Sequence, residues 1–204
     1  MFITLEGPDG SGKTQQIQLL SEFLESRGSK VYFSREPGGT EIGDQIRDVI
    51  MDLKNTSMHP RTETLLFCAS RAQIVEEVIK PKLNDGYVVI LDRYADSTLA
   101  YQGYGHGNDL QTIRQLLDFA TGGLKPDLTI LLDIDPEIGL TRRKHGGGEW
   151  NRLDDYQLAL HKRVRAGYLE MAAQEPARWR IVSADQPIEV VQSQLQNIIL
   201  DYLE

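Results

Sequence analysis

The sequence feature that most constrains the fold is the segment GPDGSGKT at residues 7–14, which satisfies the pattern G-x-x-x-x-G-K-[ST]. It follows the apolar run FITLE (2–6) and precedes the amphipathic run QQIQLLSEFLESR (15–27). This order predicts a strand, a glycine-rich loop and a helix whose N-terminus lies behind the loop. The alternative is an ordinary glycine turn that opens a helix.

Four further apolar runs, bounded by turn signals, predict strands that are covered on both faces. They are VYFS (31–34), YVVILD (87–92), LTILLDI (128–134) and RIVSA (180–184). Amphipathic stretches alternate with these runs, at residues 15–27, 43–53, 63–85, 110–122, 155–173 and 187–204. The alternation predicts an α/β fold with a five-stranded parallel sheet and helices on both of its faces.

The length and composition favour one ordinary globular domain over residues 1–204, with 40% hydrophobic and 25% charged residues. The formal net charge of −8 argues against a broad nucleic-acid-binding surface, because such a surface must be basic to displace counterions. The N-terminal residues have no basic segment before an apolar one, and no run reaches the roughly 18 apolar residues of a membrane span. We therefore expect a cytoplasmic protein without nucleic-acid or membrane partners.

The glycines of residues 7–14 predict a phosphate-binding loop, because they let successive backbone N–H groups converge on one phosphate. Lys13 can bridge the outer phosphates, and Thr14 can offer its hydroxyl to Mg²⁺. Many classes of protein share this loop, so it does not name a reaction. The predicted nucleoside-triphosphate-binding residues here are Gly7, Pro8, Asp9, Gly10, Ser11, Gly12, Lys13 and Thr14.

Asp9 is an unusual residue for a loop that binds anions, because a carboxylate that points into the loop would repel phosphate. We therefore expect its side chain to point outward. There it could accept a hydrogen bond from a sugar hydroxyl of a phosphate acceptor, or hold water around a metal ion. The alternative is a solvated loop residue.

The segment REPGGTEIGDQIR (35–47) follows the second predicted strand and turns abruptly at Pro37. The turn leaves Arg35, Glu36 and Arg47 near the carboxyl end of the strand, where open α/β sheets bind ligands. Two arginines at this place indicate an anion, and structural salt bridges are the alternative.

The segment FCASRAQ places Phe67 and Arg71 four residues apart and hence on one helix face. An aromatic ring and a guanidinium group on one face can stack on a flat heterocycle and donate hydrogen bonds to its carbonyl edge. The alternative is ordinary amphipathic packing.

Asp92 and Arg93 follow the third predicted strand. An acid directly after an apolar strand can hold the metal of a bound nucleotide, directly or through water. A cation next to that acid is explained if a second phosphate group must be held opposite the first.

The four segments GPDGSGKT, REPGGTxxGxxIR, FCASRAQ and LDRYxxSTxAYQ together closely resemble thymidylate kinase, in matching order along essentially the whole chain. The resemblance implies a P-loop NTPase fold of the nucleoside monophosphate kinase kind, with a short lid. It also implies Mg²⁺-dependent transfer of the γ-phosphoryl group of ATP to dTMP, which gives dTDP and ADP for dTTP biosynthesis. Members of the family form homodimers, and we expect the same here.

The resemblance also suggests residue roles at the dTMP site. Asp9 is similar to the acid that meets the 3′-hydroxyl and a nearby metal-bound water. Thr98 stands where some members have asparagine, which weakens its expected contact with the base. The predicted dTMP-binding residues are Asp9, Arg35 and Arg93 for sugar and phosphate, Phe67, Arg71, Thr98 and Gln102 for the base, Tyr101 beneath the deoxyribose, and Glu36 and Pro37. The predicted metal-binding residues are Thr14, Asp92 and Asp9.

The segment TRRKHGGGEWNR (141–152) supplies cations, whereas residues 8–11 of the phosphate-binding loop contain no arginine. Arg142, Arg143 and Arg152 flank a glycine-rich hinge, which resembles the lid of the bacterial type of thymidylate kinase, at about 142–152. The pattern does not show which arginine dominates, and a flexible surface loop is the alternative. With the lid, the predicted catalytic residues are Lys13, Arg93, Asp9, Arg142, Arg143 and Arg152.

The last predicted strand runs into SADQP (183–187). In the family this loop borders the adenine of ATP, so Ala184 and Gln186 become candidate ATP-binding residues. A strand-to-helix turn capped by Asp185 is the alternative reading.

Two rival functions make different demands on these residues. A deoxynucleoside kinase would need a base for the acceptor hydroxyl and would leave Arg35 and Arg93 without an anion. A phosphate acceptor needs no strong base, because the second pKa of a phosphomonoester is about 6. A nucleotide-dependent switch would bind a partner instead of an acceptor, and the sequence has no N-K-x-D base-recognition motif.

Overall fold

The computed structural model describes residues 1–146 and 151–203. Its sheet contains five parallel strands, in the order β2-β3-β1-β4-β5. The strands are β1 Phe2–Glu6, β2 Val31–Arg35, β3 Val88–Asp92, β4 Leu128–Asp133 and β5 Trp179–Ser183. The α/β fold with a five-stranded parallel sheet is therefore confirmed, while the extent of the domain over residues 1–204 stays a prediction.

The register brings three functional strand ends to one edge of the sheet. Leu5 pairs with Asp92 between β1 and β3, and Arg35 pairs with Asp92 between β2 and β3. Because parallel strands end at the same edge, the loops after β1, β2 and β3 share one side of the molecule.

Nine α-helices lie in the described ranges, two of them extended by π-helical turns. The helices are α1 Lys13–Ser26, α2 Glu41–Met51, α3 Pro60–Ile74, α4 Lys80–Asn84, α5 Ala95–Thr98, α6 Leu110–Thr121, α7 Pro136–His145, α8 Leu158–Gln174 and α9 Ile188–Leu203. The π-helical turns Val75–Ile79 and Leu99–Gly105 follow α3 and α5, and a 3₁₀ turn spans Arg152–Asp155.

Helices cover both faces of the sheet, as predicted. Alternate residues of β1 point to opposite sides, because side chains alternate along a strand. Ile3 packs in one core with Leu20 of α1 and Leu195 of α9, whereas Phe2 packs in another core with Ile74 of α3. The prediction that every strand is covered on both faces is wrong for the edge strands, since Phe33 of β2 and Ile181 of β5 are exposed.

Two helical segments lie outside the amphipathic stretches of the sequence. Residues 95–105 bury mainly small and polar side chains, so the segment lacks an apolar stripe. The sequence signal for helix α7 is its N-terminus and not an apolar stripe. Asp135 accepts a hydrogen bond there from the N–H of Glu137, and Pro136 occupies the first turn.

The lid predicted at about 142–152 is described only in part. Residues 142–146 end α7 and pass into its C-terminal turn, and residues 151–155 enter the 3₁₀ turn. Gly147, Gly148 and Trp150 lie outside the described residues. Among the helices that are described, none is both long and apolar enough to cross a lipid bilayer.

Candidate active site

A cleft of about 830 Å³ lies at the carboxyl edge of the sheet. Its walls come from the phosphate-binding loop, the turn after β2, helices α3 and α7, the segment after β3, and the turn before α9. Every predicted site residue lines this cleft except Gly7, Pro8 and Arg152. The fold thus brings together side chains that are far apart in the sequence.

The loop of residues 7–14 adopts a conformation that requires glycine. Gly10 has φ 76°, and a Cβ at this position would lie 1.9 Å from the carbonyl oxygen of Gly139. Gly12 has φ 85° and precedes the first turn of α1. Within the described residues, the N–H groups of Gly10 and Gly12 donate no backbone hydrogen bond. They remain available to phosphate oxygens at the positive end of α1.

Lys13 is buried, and its ammonium group is held over the loop. Nζ donates to the carbonyl oxygens of Gly7 at 3.1 Å and Pro8 at 3.0 Å, and to Oγ of Ser11 at 3.3 Å. Burial and the nearby Arg93 lower the pKa of Lys13 to about 8. Gly7 and Pro8 therefore contribute through their carbonyl oxygens, which hold Lys13, and not as walls of the cleft.

Thr14 and Asp92 form an oxygen pair at the end of the loop, where Thr14 Oγ1 donates to Asp92 Oδ2 at 2.7 Å. No cluster of three or more His, Cys, Asp or Glu in the described ranges could hold a metal by itself. A cation here would therefore need further ligands, such as nucleotide phosphate oxygens. Hydroxyl, carboxylate and phosphate oxygens suit Mg²⁺, so the residues fit that ion.

Arg93 and Asp9 join the phosphate-binding loop to the segment after β3. Arg93 Nη2 donates to Asp9 Oδ1 at 2.7 Å, and the Tyr101 hydroxyl donates to Asp9 Oδ2 at 2.6 Å. Burial would raise the pKa of Asp9, but Arg93 and Lys13 together with the Tyr101 hydrogen bond lower it to about 2. Asp9 is therefore a carboxylate turned towards a cation, and this pairing explains how a phosphate-binding loop tolerates it.

Ser97 and Tyr168 bind Arg93 and in turn bind Glu6, and none of these three was among the predicted site residues. Arg93 Nη1 donates to Ser97 Oγ at 3.2 Å and to the Tyr168 hydroxyl at 3.1 Å. Both hydroxyl groups in turn donate to Oε2 of Glu6, at 2.5 Å from Ser97 and 3.0 Å from Tyr168. Burial and the neighbouring Asp96 raise the pKa of Glu6 to about 7.

Glu6 could have been predicted as a site residue, because it is the last residue of β1 and lies at the edge of the sheet where ligands bind. Nothing in the sequence indicates a role for Tyr168, since it lies on α8 and its contact with Glu6 spans 162 positions.

The end of β2 and helix α2 each present one arginine to the cleft. Arg35 is largely exposed and lies 3.8 Å from Asp44, whereas Arg47 Nη1 donates to the carbonyl oxygen of Pro37 at 2.9 Å. The Glu36–Pro37 peptide bond is cis. Burial and the nearby Arg35 lower the pKa of Arg47, so the two cations repel each other. An anion between them would relieve this repulsion.

Arg71 is almost fully buried beside Phe67 in the wall of the cleft. Its Nε donates to Glu36 Oε2 at 2.7 Å, and its Nη1 donates to Thr98 Oγ1 at 2.9 Å. Glu36 and Thr98 therefore fix the plane of the guanidinium group. The remaining Nη1 proton is available to a ligand that stacks on Phe67.

Arg152 does not lie over the phosphate-binding loop, contrary to expectation. It is buried outside the cleft, where Nη2 donates to Glu63 Oε2 at 2.5 Å and Nε to the carbonyl oxygen of Ile50 at 2.8 Å. The physical reason is Glu63, a buried carboxylate that requires a cationic partner.

The other two lid arginines line the cleft. Arg142 donates to the carbonyl oxygen of Ala184 and to Asp185 Oδ1, both at 2.8 Å, and so ties α7 to the turn before α9. Arg143 donates to both carboxylate oxygens of Asp154 at 3.2 Å. These contacts place Arg142 next to the predicted ATP-base residues Ala184 and Gln186.

Two groups of cations thus face one cleft, Lys13 of the phosphate-binding loop on one side and Arg35 and Arg93 on the other. A second set of cations beside the phosphate-binding loop suits a second phosphate group, that of an acceptor. The fold and the site define a P-loop kinase that acts on a phosphorylated acceptor.

Comparison with known proteins narrows this class. A family model described as thymidylate kinase matches residues 5–195. The chain is 53% identical over 215 residues to the thymidylate kinase of Roseiflexus castenholzii, covering 100% of the chain and 94% of the relative. It is 50% identical over 190 residues to that of Thermomicrobium roseum, covering 93% and 90%. The crystal structure of thymidylate kinase from Ehrlichia chaffeensis superposes with a TM-score of 0.80 at 34% identity, covering 98% of both chains. The chain belongs to the thymidylate kinase family.

Proposed function

We propose that the cleft binds ATP and dTMP end to end and that its own side chains carry the reaction of the family. The chain transfers the γ-phosphoryl group of ATP to dTMP, which gives dTDP and ADP for dTTP synthesis. The observation that supports the assignment of residues is the pair formed by Arg93 and Asp9, since it holds the Arg93 guanidinium group directly beside the phosphate-binding loop.

The donor nucleotide occupies the loop side of the cleft. Backbone N–H groups of residues 9–14 hold the phosphates, and Lys13 turns its ammonium group towards the outer phosphates when they are bound. The base lies against Ala184 and Gln186, in the turn that Arg142 joins to α7 through Ala184 and Asp185.

The acceptor occupies the other side. Arg35 and Arg93 hold the phosphate of dTMP, Phe67 stacks on the thymine ring, and Arg71 donates to the carbonyl edge of the base. Tyr101 lies beneath the deoxyribose, and the hydrogen bond from its hydroxyl group to Asp9 holds its ring in place. Thr98 and Gln102 border the base from the segment after β3.

Neutralisation of charge contributes most of the rate enhancement, because negative charge spreads over the phosphoryl oxygens in the transition state. Thr14 and Asp92 would hold Mg²⁺, which neutralises phosphate charge when it is bound. We assign Arg143 as the lid cation of the reaction, because it lines the cleft from α7 and its charge interacts with those of Asp9 and Arg93. The chain needs no general base, because the acceptor phosphate is already ionised near neutral pH.

Comparison of acceptors in a coupled assay for ADP tests this function. We expect turnover with dTMP, weaker turnover with dUMP and dCMP, and essentially none with thymidine, which lacks the phosphate that Arg35 and Arg93 bind. Equal turnover with thymidine and dTMP would refute the assignment of these two arginines.

A homodimer is a further proposal. Helices α2, α3 and α6 pack beside one another and expose apolar side chains, among them Val49, Leu65 and Phe119. A second copy of the chain could cover this face, and light scattering on the purified protein would report twice the mass of 23.0 kDa. We also propose a cytoplasmic location, which agrees with Cys68 as a free, buried thiol.

A further inference from the structure

Glu63 is a buried carboxylate that the function above leaves unexplained. It lies on α3 with 1% exposure and does not line the cleft. Three groups donate hydrogen bonds to it, namely Gln102 Nε2 at 2.8 Å, Arg152 Nη2 at 2.5 Å and the Tyr156 hydroxyl at 2.6 Å. Nε2 of His106 lies 3.3 Å from Oε1 of Glu63.

These partners keep Glu63 ionised. Burial would raise the pKa of Glu63, but His106 and the hydrogen bonds from Tyr156, Gln102 and Arg152 lower it to about 2. An ionised carboxylate accepts hydrogen bonds and cannot donate one. Gln102 must therefore direct its NH₂ group, and not its carbonyl oxygen, at Glu63.

The fixed orientation leaves Oε1 of the Gln102 amide for a ligand. Gln102 lines the cleft and Glu63 lies outside it, so Nε2 points out of the cleft. Among the described residues, none donates a hydrogen bond to Gln102 Oε1. Oε1 of Gln102 is therefore the hydrogen-bond acceptor that this amide can offer to the cleft.

We propose that Glu63 is a positioning residue that selects thymine over cytosine, by fixing Gln102 so that its Oε1 meets position 3 of the pyrimidine ring. Thymine and uracil carry an N–H at that position, which Oε1 can accept. Cytosine carries a bare nitrogen there, and two acceptors would face each other without a proton. The inference rests on the proposed function, which places the base of dTMP beside Gln102.

Arg71 contacts a different part of the base and is therefore a second source of discrimination against dCMP. Its guanidinium group is fixed by Glu36 and Thr98. Under the proposed function it donates to the carbonyl edge of the base, and position 4 of that edge is a carbonyl in thymine and an amino group in cytosine. A change at Glu63 should relax only the reading of position 3, so discrimination against dCMP should weaken without disappearing.

The test is the ratio of kcat/KM for dCMP to kcat/KM for dTMP. Glu63→Gln would still offer Gln102 an amide oxygen, and removal of Glu63 alone would leave the Arg152 cation buried without its partner. The informative variant is therefore Glu63→Met/Arg152→Met. Arg152→Lys alone is the control, because it keeps a cation beside Glu63, which stays ionised and still fixes Gln102. We expect the ratio to rise about tenfold in the double variant and to stay unchanged in the control, since a hydrogen bond of this kind is worth about a factor of ten.

An unchanged ratio in a folded double variant that still phosphorylates dTMP would overturn the proposal. If the double variant does not fold, a wild-type measurement tests the contact at position 3 on which the proposal depends. The N3 proton of 5-fluoro-dUMP is more acidic than that of dUMP, so its kcat/KM relative to dUMP should fall as the pH rises through its deprotonation. A constant ratio would overturn the proposal. Failure of the wild-type protein to turn over dTMP at all would instead refute the proposed function.

Discussion

Arg93 Nη2 lies 2.7 Å from Oδ1 of Asp9, and Arg93 reaches it from a left-handed backbone with φ 73°. A non-glycine residue in this region costs on the order of 1 kcal/mol or more and persists only where its surroundings hold it there. The hydroxyl groups of Ser97, Tyr101 and Tyr168 do so. The strained residue is thus the one that links the two halves of the cleft.

Replacement of Arg93 by lysine should lower kcat/KM for dTMP by about 10² to 10³, the effect of removing one fixed donor from a transition-state site. Lysine keeps the charge, but it cannot reproduce the planar fork that contacts Asp9 and Tyr168 together. Steady-state kinetics at saturating ATP measures the effect. Arg180→Lys is the matched control, because Arg180 is exposed on β5 and lies outside the cleft. Normal kcat/KM in Arg93→Lys would contradict the role given to the guanidinium group.

Thr14→Val should raise the Mg²⁺ concentration needed for half-maximal activity by about tenfold, because it removes one oxygen ligand and the partner of Asp92. Thr14→Ser keeps the hydroxyl and should behave like the wild type. A magnesium titration at fixed ATP and dTMP distinguishes the two variants. The same requirement in both would exclude Thr14 from the metal site.

Glu6→Gln should remove a pH dependence of stability. The ordinary pKa of 4.5 applies to the unfolded chain and a pKa of about 7 to the folded one, so the folded protein holds a proton that the unfolded chain has lost between these values. Wild-type stability therefore falls as the pH rises through this window, by about 3 kcal/mol. Urea unfolding of both proteins on either side of the window measures it.

The exposed Glu22 offers the control for this prediction, as Glu22→Gln should leave the wild-type pH profile intact. Parallel pH profiles for Glu6→Gln and the wild type would show that Glu6 does not titrate in this way.

Arg143→Gln should lower kcat by at least about 10², with a smaller change in KM for dTMP, because a cation placed over a transferred phosphoryl group contributes ~10³ to 10⁵ in rate. Lys144→Gln is the control, since Lys144 is exposed beside Arg143 and does not line the cleft. Equal kcat values for the two variants would remove Arg143 from the catalytic group.

The features that could be predicted from the sequence are those formed by residues close together along the chain. The loop of residues 7–14 is specified by residues within it, and the hydrogen bonds of Lys13 reach back only to Gly7, Pro8 and Ser11. The apolar runs likewise set the three inner strands, because β1, β3 and β4 are each buried as a continuous segment.

Partners far along the chain were not predictable. Arg152 follows a glycine-rich, basic segment and was expected to belong to the lid, but it pairs with Glu63, which lies 89 positions earlier. Nothing local to either residue indicates this contact. The same holds for Tyr168, whose hydroxyl holds Arg93 from 75 positions away.

The most direct measurement of the central claim is ³¹P NMR of the protein with Mg²⁺, ATP and dTMP. We predict that the γ-phosphate signal of ATP is lost as the β-phosphate signal of dTDP grows in equal amount, and that omission of dTMP stops the loss. Release of inorganic phosphate at the same rate with and without dTMP would contradict the account.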